Sequence, residues 1–297
     1  MITVFGSTNL DLIGTVSRIP KPGETVPGGG FSMAAGGKGA NQALAARRAG
    51  AEVRLFCAAG IDSFADEALK LLLADGVDLS RLKRVPGPTG IAMIFVDAEG
   101  ENVIAILPGA NAAMGPADAE AALDGLGIGS ILLLQQEIPQ AATARALELA
   151  RERGVISILN TAPFLDSTPD LAERASIVVA NETEFALLTG AGLDRLDQAM
   201  ADWARSQNQT IIVTLGPDGA RAATPTSRLA VPSLKIEPVD TVGAGDTFCG
   251  YLAAGLDQGL DLEAAMRRAA VAASLACLKP GAQPAIPYAS ELDRPLL

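Results

Sequence analysis

Short apolar runs alternate with amphipathic stretches along most of the chain. "ITVFG", "VRLFCAAG", "SILLLQ", "VISILN", "SIVVAN" and "TIIVTLG" have the β-branched, uninterrupted character of strands. Between them, "GANQALAARRAG", "FADEALKLLLADG", "QAATARALELARERG" and "TEFALLTGAG" repeat apolar residues at helical spacing. Runs of Val, Ile and Leu without polar alternation fit strands covered on both faces. The pattern therefore predicts an α/β fold: a doubly wound, mostly parallel sheet with helices on both faces.

Two stretches break the rhythm. Residues 12–34, "LIGTVSRIPKPGETVPGGGFSMA", carry several Gly and Pro and no helical period. Residues 88–107, "PTGIAMIFVDAEGENVIAIL", alternate around "DAEGEN" as a hairpin does. Neither fits a βαβ layer. Both are expected in a small β-sheet projecting as a lid from a large domain made of 1–11, 35–87 and 108–297; an extension of the main sheet is the alternative.

Composition narrows the chemistry. At 297 residues, 49% of them hydrophobic, the chain can bury a large core. A net charge of −11 argues against nucleic acid or an anionic membrane as a main partner, while leaving room for a small anion in a pocket. No apolar run is long enough for a membrane span, and "MITVFGSTNLDLIG" lacks the basic start of a signal peptide. Cys57, Cys249 and Cys277 sit in apolar surroundings and read as reduced core thiols, so a cytoplasmic location is expected. The chain has no histidine, which removes Ser-His-Asp and Cys-His arrangements and His-bearing zinc sites. Proton transfer must rely on Asp, Glu, Lys, Tyr or Cys.

Polar residues interrupt the pattern at a few places where strands end. "GSTNLD" follows the first strand, and Asn9 and Asp11 share one face if extended, a pair suited to sugar hydroxyls or to an ordinary polar turn. "AAGGKGANQ" holds Gly36, Gly37 and Gly39 before a helix with Lys38 and Asn41 at its start; bare backbone there can approach a ligand or make a tight turn. It is not a Walker A loop, since Lys38 is followed by Gly. "LLLQQEIP" is expected to end a buried strand on Glu137. In "VVANETEF", Asn181 and Glu184 have capping-box spacing, which also places Glu184 where it could hold hydrated Mg²⁺. "TIIVTLGPDGARAAT" reads as a hairpin, with Thr214 and Gly216 able to meet a nucleotide phosphate.

The sharpest arrangement is "VDTVGAGDTF". Asp240 precedes, and Asp246 follows, a loop of almost no side chains at a helix start. Free amides at residues 243–246 can hold an anion. Asp246 can accept a proton from a hydroxyl lying between it and a transferring phosphoryl group, and it can equally be an N-capping acid.

Taken in order, "GSTNLD", "GGKGANQALAARRAG", "LQQEIP", "NETE", "TLGPDG", "DTVGAGDTF" and "KPGAQPAIP" resemble the ribokinase (PfkB) family of carbohydrate kinases, from the first strand to about residue 287. The resemblance implies an ATP-dependent kinase acting on the primary hydroxyl of a furanose, ribose O5 foremost, with Mg²⁺ and K⁺ and a lid that pairs in a homodimer. By the same resemblance Asp246 falls on the catalytic base, and Gly243, Ala244 and Gly245 with it on the anion hole. Asn9, Asp11, Gly37, Lys38, Asn41 and Glu137 fall on sugar contacts, Asn181 and Glu184 on the phosphate and Mg²⁺ motif, and Thr214, Gly216 and Gly219 on nucleotide contacts. Asp240 and Val242, with Ala276, Lys279 and Gly281 from the 276–285 loop, fall on a monovalent-cation site. Pro217 and Ala285 depart from the family's usual polar residues, putting one nucleotide contact and one cation ligand in question. Deoxyribose, a ketohexose or a nucleoside are alternative substrates, and a non-catalytic binding protein is an alternative role. An NAD-dependent oxidoreductase is disfavoured because no G-x-G-x-x-G follows the first strand.

Overall fold

The computed structural model describes residues 1–292. The chain opens with β1 (Ile2–Phe5), β2 (Asn9–Val16) and β3 (Gly28–Gly36), then helix α1 (Lys38–Arg48). β4 (Val53–Phe56), β5 (Ala58–Ala59), α2 (Ser63–Ala74) and β6 (Lys83–Arg84) lead to β7 (Gly90–Val96) and β8 (Asn102–Leu107). Helices and strands then alternate: α3 (Pro116–Ala122), β9 (Ile131–Leu134), α4 (Gln140–Arg153), β10 (Ile156–Asn160), α5 (Thr168–Ala172) and β11 (Ile177–Asn181). After α6 (Glu182–Thr189), α7 (Leu196–Gln207) and β12 (Thr210–Thr214) come the hairpin strands β13 (Ala220–Ala223) and β14 (Arg228–Val231), then α8 (Ala244–Asp257) and α9 (Leu262–Ala276).

Eight strands form the main sheet in the order β14-β13-β12-β11-β10-β9-β1-β4. From β4 to β12 the pairings are parallel, and the last two strands are antiparallel. Successive strand residues feed opposite cores. Ile131, Leu133, Ile158, Val179 and Ile212 pack on one side with Leu44, Leu69, Phe248 and Met266. Leu132, Leu134, Leu159, Val178 and Ile211 pack on the other with Leu147, Phe185 and Met200. This is the physical reason for the unbroken apolar runs: a strand with helices on both faces has no side to leave polar. The three cysteines are buried and unpaired, and among the described residues no helix is long and apolar enough to cross a membrane.

The second sheet has the order β3-β2-β7-β8, with β7 and β8 as the expected hairpin. It is wider than the sequence suggests. β2 begins at Asn9 and β3 ends at Gly36, so Asn9 and Asp11, expected in the large domain, belong to this sheet. The reason is that β1 stops at Phe5, and the polar residues that follow pair sideways with Gly36 and Gly90 instead of continuing the main sheet. Phe31, Met33, Val103, Ile104 and Ile106 of this sheet are exposed.

One close approach positions everything below. α1 and α8 lie side by side, and at Gly250 a Cβ would stand 2.5 Å from both the Ala45 Cβ and the Gln42 carbonyl oxygen. Only the missing side chain lets the two helices meet. Gly250→Ala is therefore expected to overpack this seam and lower stability by about 1–3 kcal/mol, measured as a shift in the urea midpoint; an unchanged midpoint would mean that the helices can part freely.

Candidate active site

The polar residues singled out in the sequence converge at the carboxyl ends of β1, β9, β10, β11 and β12, where an open α/β sheet offers a crevice. Gly243 takes φ 77° and caps α8 from the left-handed region, a conformation that favours glycine. The Thr247 amide closes the first helical bond onto the Gly243 carbonyl, and the Ala244 amide bonds back to Thr241. The expected cradle of residues 243–246 is thus narrower: the helix gives the amides of Gly245 and Asp246 no partner, and Ala244 is turned to its own loop.

Asp246 is 6% exposed. Asn41 Nδ2 donates to its Oδ2 and Gln42 Nε2 to its Oδ1, both at 2.9 Å. Gln42 in turn accepts from Gln135 Nε2 at 2.6 Å and donates to Asn160 Oδ1 at 3.2 Å. The sequence placed Asn41 on a sugar; the structure gives its amide nitrogen to Asp246 and leaves its Oδ1 buried without a partner. An unpaired buried acceptor beside a carboxylate is suited to a hydroxyl donor from a ligand.

A cavity of about 230 Å³ adjoins Asp246 and is lined by Lys38, Asn160, Asn181, Glu184, Gly243 and Cys249 among others. Lys38 is half-buried here, and its pKa is raised by the Asp246 carboxylate first, with Glu137 and Glu184 adding to this against the opposing effect of burial. The sequence assigned Lys38 to a sugar; in the structure it lines the same cavity as Asn181 and Glu184. Asn181 and Glu184 form the capping box at the start of α6: Glu184 N donates to Asn181 Oδ1 at 2.8 Å and Asn181 N to Glu184 Oε2 at 3.0 Å. Thr161 Oγ1 also donates to Oε2 at 2.8 Å. Cap and cavity lining are the same residues, so the two readings of this motif coexist.

On the other side of Asp246 lie Asn9 and Asp11. Asn9 Oδ1 accepts from Asn111 Nδ2 at 2.7 Å, which orients its amide. The Asp11 pKa is pushed up to about 7 by burial, with the Glu137 and Asp246 carboxylates adding to the effect. A Cβ on Gly36 would stand 2.5 Å from both Asp11 carboxylate oxygens, so that glycine makes room for the acid. Gly37, at φ 87°, brings its backbone against Thr8 and Asn9.

Glu137 departs from expectation. β9 ends at Leu134, and Glu137 lies beyond it, where Oε2 accepts from Ser7 Oγ at 2.6 Å and from the Lys38 amide at 2.9 Å. It fastens the start of α1 to the loop after β1. Gln135 and Gln136, both buried, occupy the turn that was read as strand.

A larger cavity, about 730 Å³, runs from Thr214, Gly216, Pro217 and Gly219 along residues 233–238 to Phe248, Ala273 and Cys277. Thr214, Thr241 and Gly245 line both cavities, so the two adjoin at the turn that starts α8. Gly219 (φ 85°) presses against Val231 and Pro232, closing the hairpin beneath it. Pro217 lines the wall and its carbonyl accepts from Ser233 Oγ. The wall made by 233–238 was missed in the sequence: it carries no motif, only an irregular run after β14.

At the far edge, Asp240 joins two loops, accepting from the Val242 amide at 3.0 Å and the Gly281 amide at 2.8 Å. Ala276, expected in the loop, is the last residue of α9, and its carbonyl accepts from the Lys279 amide at 3.4 Å. The Lys279 ammonium turns away to Glu291 at 3.2 Å.

A buried carboxylate beside a polar cavity that adjoins an apolar cleft makes the comparison with known proteins direct. The model for "pfkB family carbohydrate kinase" matches residues 1–289. A deoxyribokinase of Salmonella typhi is 36% identical over 298 residues, covering 98% of this chain and 97% of that protein. A ribokinase of Bacillus subtilis is 36% identical over 292 residues, covering 98% of each. An Arabidopsis thaliana ribokinase, solved in complex with ribose and ATP, superposes with a TM-score of 0.89 at 30% identity, over 98% of this chain and 96% of that one. Since these matches run through the glycine turns, the capping box and the second sheet alike, the chain belongs to the pfkB family of carbohydrate kinases.

Proposed function

We propose that the chain is an ATP-dependent sugar kinase that phosphorylates the primary hydroxyl of a furanose, D-ribose before others. The observation that carries this reading is Asp246, buried against a polar cavity that shares Thr214, Thr241 and Gly245 with a larger apolar cleft, and held there by two amide donors. ATP fits with its base in the larger, mostly apolar cavity beside 233–238 and its phosphates toward Thr214, Gly216, Gly219 and Asn181. The sugar fits between Asn9, Asp11 and Asn41, with the backbone of Gly37 beneath it and Glu137 holding that turn in place.

In this arrangement the sugar hydroxyl lies between Asp246 and the γ-phosphoryl. Its oxygen attacks phosphorus as the bond to ADP breaks, and its proton passes to Asp246. Gly243, Gly245 and the Asp246 amide, with the Lys38 ammonium, stabilise charge on the transferring group. Among the described residues no cluster of three His, Cys, Asp or Glu could hold a metal. The donor set therefore fits Mg²⁺ bound chiefly by the triphosphate and water, with Glu184 reaching it through water; the ion would neutralise phosphate charge. Buried free thiols and the absence of a spanning helix among the described residues support a cytoplasmic location.

ADP release measured against a panel of sugars and nucleosides tests the reading. Ribose should give the highest kcat/KM; the deoxyribokinase relative makes deoxyribose the second candidate. Asp246→Asn should keep sugar affinity and lower kcat by roughly two to four orders of magnitude. A variant keeping more than about a tenth of the activity would remove Asp246 from the chemistry.

Asp11 gives a pH signature. Its raised pKa means that the folded protein favours the protonated acid, a contribution to stability that is lost as pH rises through about 7. Sugar hydroxyls donate best to the ionised form, so the sugar KM should fall as pH rises through about 7. Asp11→Asn should raise KM and flatten that profile; an unchanged profile would assign the titration to another group.

A monovalent cation fits where Asp240 draws its two loops together, with main-chain carbonyls of Asp240, Val242, Ala276, Lys279 and Gly281 as donors and no side-chain oxygen from Ala285. K⁺ should raise nucleotide affinity with a half-saturating concentration that Ala285→Ser lowers several-fold, on the order of 1 kcal/mol. Superimposable K⁺ titrations of nucleotide binding for the two proteins would exclude position 285.

The exposed apolar residues of the second sheet support pairing with a second copy. Phe31→Glu with Ile104→Glu should convert a dimer to a monomer in sedimentation; a monomeric wild type would exclude the pairing.

A further inference from the structure

We propose that Arg48 is a positioning residue for phosphoryl transfer: from the C-terminal end of α1 it clamps the 281–287 segment against the start of α8 and so sets the anion-binding turn without touching a substrate. The inference rests on the kinase reading above and goes beyond it.

Arg48 is 8% exposed, and its guanidinium is committed in several directions at once. Nε donates to Asp75 Oδ2 at 2.6 Å. One terminal nitrogen donates to two main-chain carbonyls, those of Gln283 at 2.9 Å and Ile286 at 2.7 Å. The guanidinium carbon lies 4.7 Å from the centre of the Tyr288 ring, and the Tyr288 hydroxyl returns to Asp75 Oδ1 at 2.9 Å. Asp75, Arg48 and Tyr288 therefore close a ring around the segment.

The clamped segment touches the anion-binding turn at two places. Gly281 N donates to Asp240 Oδ2, and Ala282 lies so close to Gly243 that a Cβ added there would be 2.9 Å from the Ala282 Cβ. Gly243 is the residue whose left-handed conformation starts α8. The segment does not hold itself by its own polar side chain: Gln283 is fully buried, and neither its Nε2 nor its Oε1 has a partner. Burying an unpaired amide is unfavourable, so the conformation must be imposed from outside. The guanidinium bonds to the Gln283 and Ile286 carbonyls supply that constraint, together with the Tyr251 hydroxyl, which donates to the Pro287 carbonyl at 2.7 Å.

α1 thereby grips α8 at both ends. Asn41 and Gln42 hold the Asp246 carboxylate near the start of α1, and Arg48, at its last residue, holds the segment behind Gly243. Base and anion-binding amides are referenced to one rigid element. Misplacing reacting groups by about an ångström can cost on the order of a hundredfold in rate, while ground-state binding of sugar and nucleotide depends on other contacts.

Arg48→Lys keeps the charge and loses the fork and the stacking. It should lower kcat about 10- to 100-fold while the KM for sugar and for ATP stays within about twofold. Arg48→Gly should lose more, and guanidinium ion added well below denaturing concentration should restore kcat without altering KM. Wild-type kcat in Arg48→Lys, parallel loss of kcat and of both affinities, or a folded Arg48→Gly that guanidinium does not rescue would each overturn the proposal. Should Arg48→Gly not fold, the Lys variant decides alone. A wild type without sugar-dependent ADP release would overturn the kinase reading itself, which these variants leave untouched.

Discussion

The carboxylate of Asp246 is nearly excluded from water, and a buried charge without partners costs several kcal/mol. Two side-chain amides from α1 meet that cost, one on each oxygen. The arrangement demands that α1 and α8 run in contact, which Gly250 permits, and that the amides be oriented, which Gln135 and Asn160 accomplish for Gln42. The start of α1 must also be fixed, and Glu137 does this by accepting from the Lys38 amide and Ser7. The loop after β1, the turns after β9 and β10 and two helices are tied to one acid through these bonds.

The same economy explains how a strongly acidic chain accommodates a polyanion. Asp246, Glu137 and Glu184 crowd around one ammonium, that of Lys38, and raise its pKa, Asp246 most of all. Net charge describes the surface at a distance; the cavity beside Asp246 is instead lined by the start of α8 and by this one ammonium, a local field that suits an anion. With no histidine in the chain, the proton transfer proposed above falls to Asp246, and what the structure supplies for it is placement by Asn41 and Gln42.

Much of this architecture could be read in the sequence because it depends on local period and local spacing. Unbroken apolar strands reported burial on both faces, and the Asn181–Glu184 spacing reported a capping box. The glycine turns at 36–39 and 243–245 marked the two approaches of backbone to ligand. What could not be read depends on partners distant in sequence. Nothing near Gln42 announces Asp246, 204 positions away, and nothing near Asn9 announces Asn111. Glu137 was placed on a sugar by family resemblance, and only the fold shows that one of its oxygens serves Ser7 and the Lys38 amide. The 233–238 wall escaped notice because its role is set by the cavity it borders.

β2 begins at the polar pair Asn9 and Asp11 and ends at Val16 in the second sheet. Asn9, its first residue, pairs with Gly36 on one side and Gly90 on the other, so the root of the arm is flanked by residues without side chains. An eight-residue strand spans about 26 Å. A tilt of a few degrees at Asp11 would move Val16, roughly 16 Å along the strand, by about an ångström, so the strand is a lever arm. On the proposed reading, a sugar seated against Asn9 and Asp11 would act on the same strand whose other end carries the outer sheet.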